Sequence, residues 1–110
     1  MAIYSNLVVD QGSTFSAFVD LTDPDGKALN LTGYTVAGQI RKSYSSSTSI
    51  DFDCSITNAI DGTVNIQLDS TVTNGMKPGR YVYDIEITST SSTITRVLEG
   101  QVEVTPGVTR

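Results

Sequence analysis

Few side chains in this sequence could carry covalent chemistry. The acids Asp51, Asp53, Asp84 and Glu86 are the obvious candidates for a catalytic pair. Carboxylate catalysis needs two such groups set close together in unlike surroundings. Here they recur two residues apart along alternating segments, which puts them on the outward faces of strands, so a solvated role is expected. The chain has no histidine, which rules out a Ser-His-Asp triad and any zinc site that uses His. Its single cysteine, Cys54, excludes an internal disulfide, and it falls in phase with Ile50, Phe52 and Ile56, as a buried, inert thiol would. The run Asp23-Pro24-Asp25-Gly26 shares letters with a calcium loop but lacks the spaced acids and the distal Glu. The glycines are scattered as turn residues, with no phosphate-cradling loop. The expectation is a protein that is not an enzyme, with no catalytic, cofactor-binding or metal-binding residue.

The elements that would position such groups are β-strands. From Pro78 to Val104 the chain reads as a Pro-Gly turn, a long strand, a Ser/Thr loop and a second long strand. Tyr81, Tyr83, Ile85 and Ile87 fall on one face of the first, with Asp84, Glu86 and Thr88 opposite. In the second, Ile94, Leu98, Val102 and Val104 share a face, and Glu99, Gln101 and Glu103 share the other. This period of two is what a pleated strand with one buried side requires. Arg96 falls on the apolar side of that pattern, where a lone charge is costly. Three readings fit it: a place at the sheet's rim, a pair with an acid such as Asp84 or Glu99, or an interface with another subunit.

Other segments repeat the pattern. Ile3 to Val9 reads as a short edge strand closed by Asp10-Gln11-Gly12. Ser13 to Leu21 turns Phe15, Ala17, Val19 and Leu21 inward, leaving Phe18 on the wet side, under a loop or at a contact with another chain. Thr22 to Gly26 is a turn. Tyr34 to Arg41 places Tyr34, Val36 and Ile40 inward, with Gly38 leaving room for another segment. Tyr44 to Ser49 is a polar loop. Ser49 to Ile56 is one strand, Asn58 to Gly62 a turn, and Thr63 to Asp69 a strand burying Val64, Ile66 and Leu68. Asp69 to Gly75 forms one helical turn. Seven strands with no longer helix describe an all-β, antiparallel β-sandwich of immunoglobulin-like construction, with a small barrel as the alternative. Tyr81 then stands where such sandwiches use a tyrosine corner, although Lys77 takes the place where antibody domains prefer Asp.

With 110 residues the chain forms one domain, 1–110, with a single core. A net charge of −5 with only seven basic residues argues against sequence-independent nucleic-acid binding. No apolar run is long enough to cross a bilayer. No secretory leader is evident, so Asn30-Leu31-Thr32 is read as a chance match to the glycosylation sequon, and synthesis in a cytoplasm is expected.

Four segments carry a family resemblance: D-Q-G-S-T-F-S (Asp10 to Ser16), D-P-D-G-K-A-L-N-L-T-G-Y-T-V (Asp23 to Val36), G-R-Y-V-Y-D-I-E-I (Gly79 to Ile87) and T-R-V-L-E-G-Q-V-E-V-T-P-G-V-T-R (Thr95 to Arg110). In order and spacing they resemble small immunoglobulin-like structural proteins of tailed bacteriophages. That resemblance implies a virion protein of the tail, baseplate, neck or capsid decoration, made in the host cytoplasm. Its implied partners are other phage structural proteins and further copies of itself within a particle. The edge strand Ile3 to Val9 and the tail Thr105 to Arg110 are the candidate contact surfaces. The alternative is a carbohydrate- or host-surface-binding module, in which an exposed tyrosine such as Tyr44 stacks on sugar.

Overall fold

A computed structural model of the chain describes residues 3–23 and 25–108. Alternating side chains produce β1 (Ile3–Tyr4), β2 (Leu7–Asp10), β3 (Phe15–Asp20), β4 (Thr35–Arg41), β5 (Ile50–Asp51), β6 (Asp53–Asn58), β7 (Thr63–Leu68), β8 (Gly79–Thr88) and β9 (Ile94–Thr105). One helical turn, α1 (Ser70–Asn74), lies between β7 and β8. The larger sheet runs β1-β9-β8-β4-β5, with β2 also paired to β9, and the smaller runs β3-β7-β6. Their apolar faces close over one core that includes Val9, Ile40, Phe52, Ile66, Tyr83 and Val102. Two such layers bury what neither sheet could shield alone. The fold is therefore an all-β sandwich of immunoglobulin-like type.

The hairpin of β8 and β9 is antiparallel over ten paired positions, from Gly79↔Val104 to Thr88↔Ile94. It buries Tyr81, Tyr83, Ile85 and Ile87 against the smaller sheet. The Tyr81 hydroxyl donates to the Lys77 carbonyl at 2.8 Å, so the tyrosine corner is present without the Asp of antibody domains. At the turn that follows β3, Asp23 Oδ1 accepts from the amides of Asp25 and Lys27 at 3.0 and 2.9 Å, and Gly26 takes a φ of +83°. The turn's Pro24 lies outside the described residues.

Four features differ from the pattern of the sequence. The first strand is split. Both β1 and β2 run parallel to β9, with Ser5-Asn6 between them crossing at Gly100, so the larger sheet is mixed and not wholly antiparallel. A Cβ on Gly100 would collide with the Ser5 carbonyl, and the same carbonyl accepts the Tyr83 hydroxyl at 2.6 Å. Second, the segment from Ser49 to Ile56 is two strands. Ile50–Asp51 pairs with β4 and Asp53–Asn58 with β7, so the chain changes sheets at Phe52. Phe52 is buried, and its amide donates to the Gly38 carbonyl at 2.9 Å. Alternation continues through the switch because both strands face the same core, which hides the corner from a reading of period alone.

Third, the β8–β9 ladder skips a residue: Ile85 pairs with Leu98, but Glu86 pairs with Arg96. Val97 is the extra residue of a bulge, and everything before it changes face. Ile94 therefore does not join Leu98 inside; it is 63% exposed. Fourth, among the described residues no loop covers Phe18, which is 70% exposed on the outer face of the smaller sheet. The helical turn forms as expected with Asp69 before it and Gly75 after it. Asp69 caps without a side-chain hydrogen bond, however, and Gly75 keeps a right-handed φ of −83°.

Candidate functional site

The bulge at Val97 builds the polar outer face of the larger sheet. By turning Arg96 outward it brings that guanidinium to two acids. Arg96 Nε lies 3.2 Å from Asp84 Oδ2, and Nη1 lies 4.0 Å from Glu99 Oε2. Of the three readings of Arg96, the intrachain pair is the one realised, and both partners are the acids singled out from sequence. The pair is half-exposed, so it orients the side chains more than it stabilises the fold. A second chain of hydrogen bonds runs beside it. Gln39 Nε2 donates to Asp51 Oδ1 at 3.0 Å, Arg41 Nη2 donates to Gln39 Oε1 at 3.0 Å, and Arg41 Nη1 donates to the Ser46 carbonyl at 2.8 Å. That last bond ties the Tyr44 to Ser49 loop to the sheet. Tyr44 is 77% exposed and stands over a shallow pocket of about 280 Å³ lined by Gln39, Arg41, Asp84, Arg96 and Glu99.

The four acids Asp51, Asp53, Asp84 and Glu86 come near one another. All four line an open groove of about 570 Å³ across β4, floored by Gly38 and Phe52. Gly38 is required there, since a Cβ would crowd the Ile85 side chain, the Asp84 carbonyl and the Phe52 ring. Asp51 is occupied by Gln39 and Asp84 by Arg96, so both serve as hydrogen-bond acceptors that hold the face together. Among the described residues, no three His, Cys, Asp or Glu side chains are placed to hold a metal ion. Cys54, half-buried on β6, has its thiol pushed up to about 11 by burial and by the charges of Asp53 and Asp51. A thiol so protonated at neutral pH is a poor nucleophile, which agrees with the inert role read from its phase.

The outer edge formed by β1 and β2 is the other candidate surface. One side of these strands pairs with β9, and among the described residues no strand pairs with the other. Tyr4 and Val8, opposite Glu99 and Glu103, are 62% and 59% exposed, and Val8 borders a groove with Asn6, Arg80 and Gln101. The tail is partly tied down. Thr105 pairs with Asp10 through backbone and side chain, the Gly107 amide donates to Gln11 Oε1 at 3.5 Å, and Val108 is exposed. Thr109 and Arg110 lie outside the described residues.

Sequence reasoning passed over Ser5, Gly100 and Thr73. Gly100 sits in the inward phase of β9 between Leu98 and Val102, and that interruption of an apolar face was the available signal. Thr73 is fully buried in α1. Its hydroxyl donates to the Ser13 carbonyl at 2.8 Å and accepts from the Gly12 amide at 3.1 Å, pinning the β2–β3 turn.

No protein-family model and no curated protein matches the sequence. Among solved structures, the chain is similar to part of an internalin-like protein of Listeria monocytogenes, at 14% identity and a TM-score of 0.45. That match covers 96% of this chain and 28% of the other. It is similar also to part of a family 123 glycoside hydrolase from Clostridium perfringens, at 15% identity and a TM-score of 0.43, over 97% of this chain and 24% of the other. The chain thus spans about a quarter of the length of each.

Proposed function

We propose that this chain is a non-enzymatic structural or assembly domain of a tailed-bacteriophage virion. In that role it docks other virion proteins, and further copies of itself, in a tail, baseplate, neck or capsid-decoration assembly. The observation that carries this reading is the exposed apolar pair Tyr4 and Val8 on the edge strands β1 and β2, whose far side pairs with no strand among the described residues. Folded domains usually blunt such an edge with charge or cover it, because free N–H and C=O groups invite another strand. This edge is interrupted only at Ser5-Asn6. The order and spacing of the segments that resemble phage structural proteins support the same reading, and Phe18 offers a second exposed aromatic on the opposite sheet.

The test is mass photometry of the purified protein and of a Tyr4→Lys/Val8→Lys variant. Both side chains are solvent-facing, so the variant should unfold at the wild-type midpoint. A wild-type oligomer that the variant reduces to monomer supports edge docking. A wild type that stays monomeric at every concentration, or an oligomer unchanged in the variant, refutes it.

A further inference from the structure

We propose that the pocket beside Tyr44, on the outer face of β4, β8 and β9, binds one neutral sugar ring. This inference is independent of edge docking, because the pocket and the β1–β2 edge are lined by different residues. Three observations converge on the pocket.

The first is the ring itself. Tyr44 is the most exposed of the tyrosines on the described surface, and its loop is tethered to the sheet. Arg41 Nη1 holds the Ser46 carbonyl, and the Ser46 amide donates to the Ser43 carbonyl at 3.1 Å, so the segment carrying the ring is fixed to the sheet. An aromatic ring on a tethered segment has fewer conformations to lose when the C–H face of a pyranose stacks on it.

The second observation is the polar lining. Arg96 is oriented by Asp84 and Glu99, and Arg41 by Gln39 and Ser46. A guanidinium has five N–H donors and a carboxylate about four acceptor directions. The bonds within the protein therefore leave donors and acceptors interleaved at fixed positions in the pocket. Vicinal hydroxyls, each both donor and acceptor, match such a lining.

The third is charge. The two arginines already face Asp84, Glu86 and Glu99 across the same pocket, so its cations are compensated. A carboxylate or phosphate ligand would have to compete with three acids, and an ammonium ligand would meet two guanidinium groups. A neutral polyol meets neither penalty. The volume of about 280 Å³ suits one ring with its chain continuing into solvent.

The test is an amide-resolved NMR titration of the full chain with D-glucose, D-galactose and N-acetyl-D-glucosamine, each taken to high millimolar concentration, with D-glucuronate as the charged control. The expected result is saturable shifts for at least one neutral sugar at Gln39, Arg41, Val82, Asp84 and Arg96. The apparent affinity should fall by about tenfold or more in Tyr44→Ala. It should be unchanged in Phe18→Ala, which removes an exposed aromatic elsewhere. No saturable shift with any of the three neutral sugars overturns the proposal. So does binding that Tyr44→Ala leaves intact, or a preference for glucuronate.

Discussion

Replacing Gly100 by alanine tests the packing on which the open edge depends. The new methyl would be directed at the Ser5 carbonyl, with the Ser5 carbonyl carbon at 2.8 Å and Asn6 Oδ1 at 3.2 Å. None of these is the end of a long, flexible side chain, so the β1–β2 junction must move off β9. Three hydrogen bonds meet at that point. The Ser5 amide donates to the Glu99 carbonyl at 2.8 Å, the Gln101 amide donates to Asn6 Oδ1 at 3.1 Å, and the Tyr83 hydroxyl donates to the Ser5 carbonyl at 2.6 Å. Inserting a methyl into a packed site costs roughly 1–3 kcal/mol, and the buried tyrosine bond contributes about 1 kcal/mol more. The other two bonds lie at an exposed edge, where water replaces them. The total is about 3 kcal/mol, or a fall of roughly 12 °C in Tm for a domain of this size. Urea unfolding of four proteins checks it: wild type, Gly100→Ala, Tyr83→Phe and the double variant. If the junction moves, the tyrosine bond is already lost in Gly100→Ala, and Tyr83→Phe then costs about 1 kcal/mol less than it does alone. A Gly100→Ala protein within about 0.5 kcal/mol of wild type, or two costs that simply add, would refute the argument.

Two further outcomes follow from the tyrosines and the thiol. Tyr81→Phe removes the hydroxyl bonded to the Lys77 carbonyl while keeping the ring, and should cost about 1 kcal/mol by urea unfolding; identical midpoints would remove the corner from the list of stabilising contacts. Stability should also decline on the alkaline side. Burial holds the Tyr83 phenol up to about 12 and the Cys54 thiol up to about 11, against ordinary values of 10.0 and 9.0. Above pH 9 the unfolded chain therefore releases protons that the folded chain retains, which favours unfolding until both folded groups have titrated near pH 12. Midpoints measured from pH 8 upward should be flat until about 9 and then fall, and Tyr83→Phe should flatten the portion above 10. A wild-type midpoint that holds steady from 9 to 12 would contradict the assigned burial.

The sequence by itself determined the faces of most strands and the fold class. A side chain on a pleated backbone must point to one side or the other, so Val64, Ile66 and Leu68 on β7, or Tyr81, Tyr83, Ile85 and Ile87 on β8, could be assigned inward from spacing alone. Asp84 and Glu99 could be named as partners for Arg96, but spacing placed Arg96 on the face opposite to theirs, so the pairing itself was not legible. Only the tertiary structure decided which sheet each strand joined and where the ladder slipped. The bulge at Val97 reverses the face of Ile94 and Arg96 without altering a single letter of the pattern. The corner at Phe52 moves β6 to the other sheet while preserving alternation. The Tyr44 pocket was illegible because its residues come from β4, a loop, β8 and β9, which become neighbours only through pairing. Local spacing fixes a side chain's direction relative to its own backbone. Register and layer are properties of contacts between segments far apart in sequence, and they are settled only when the two sheets close over one core.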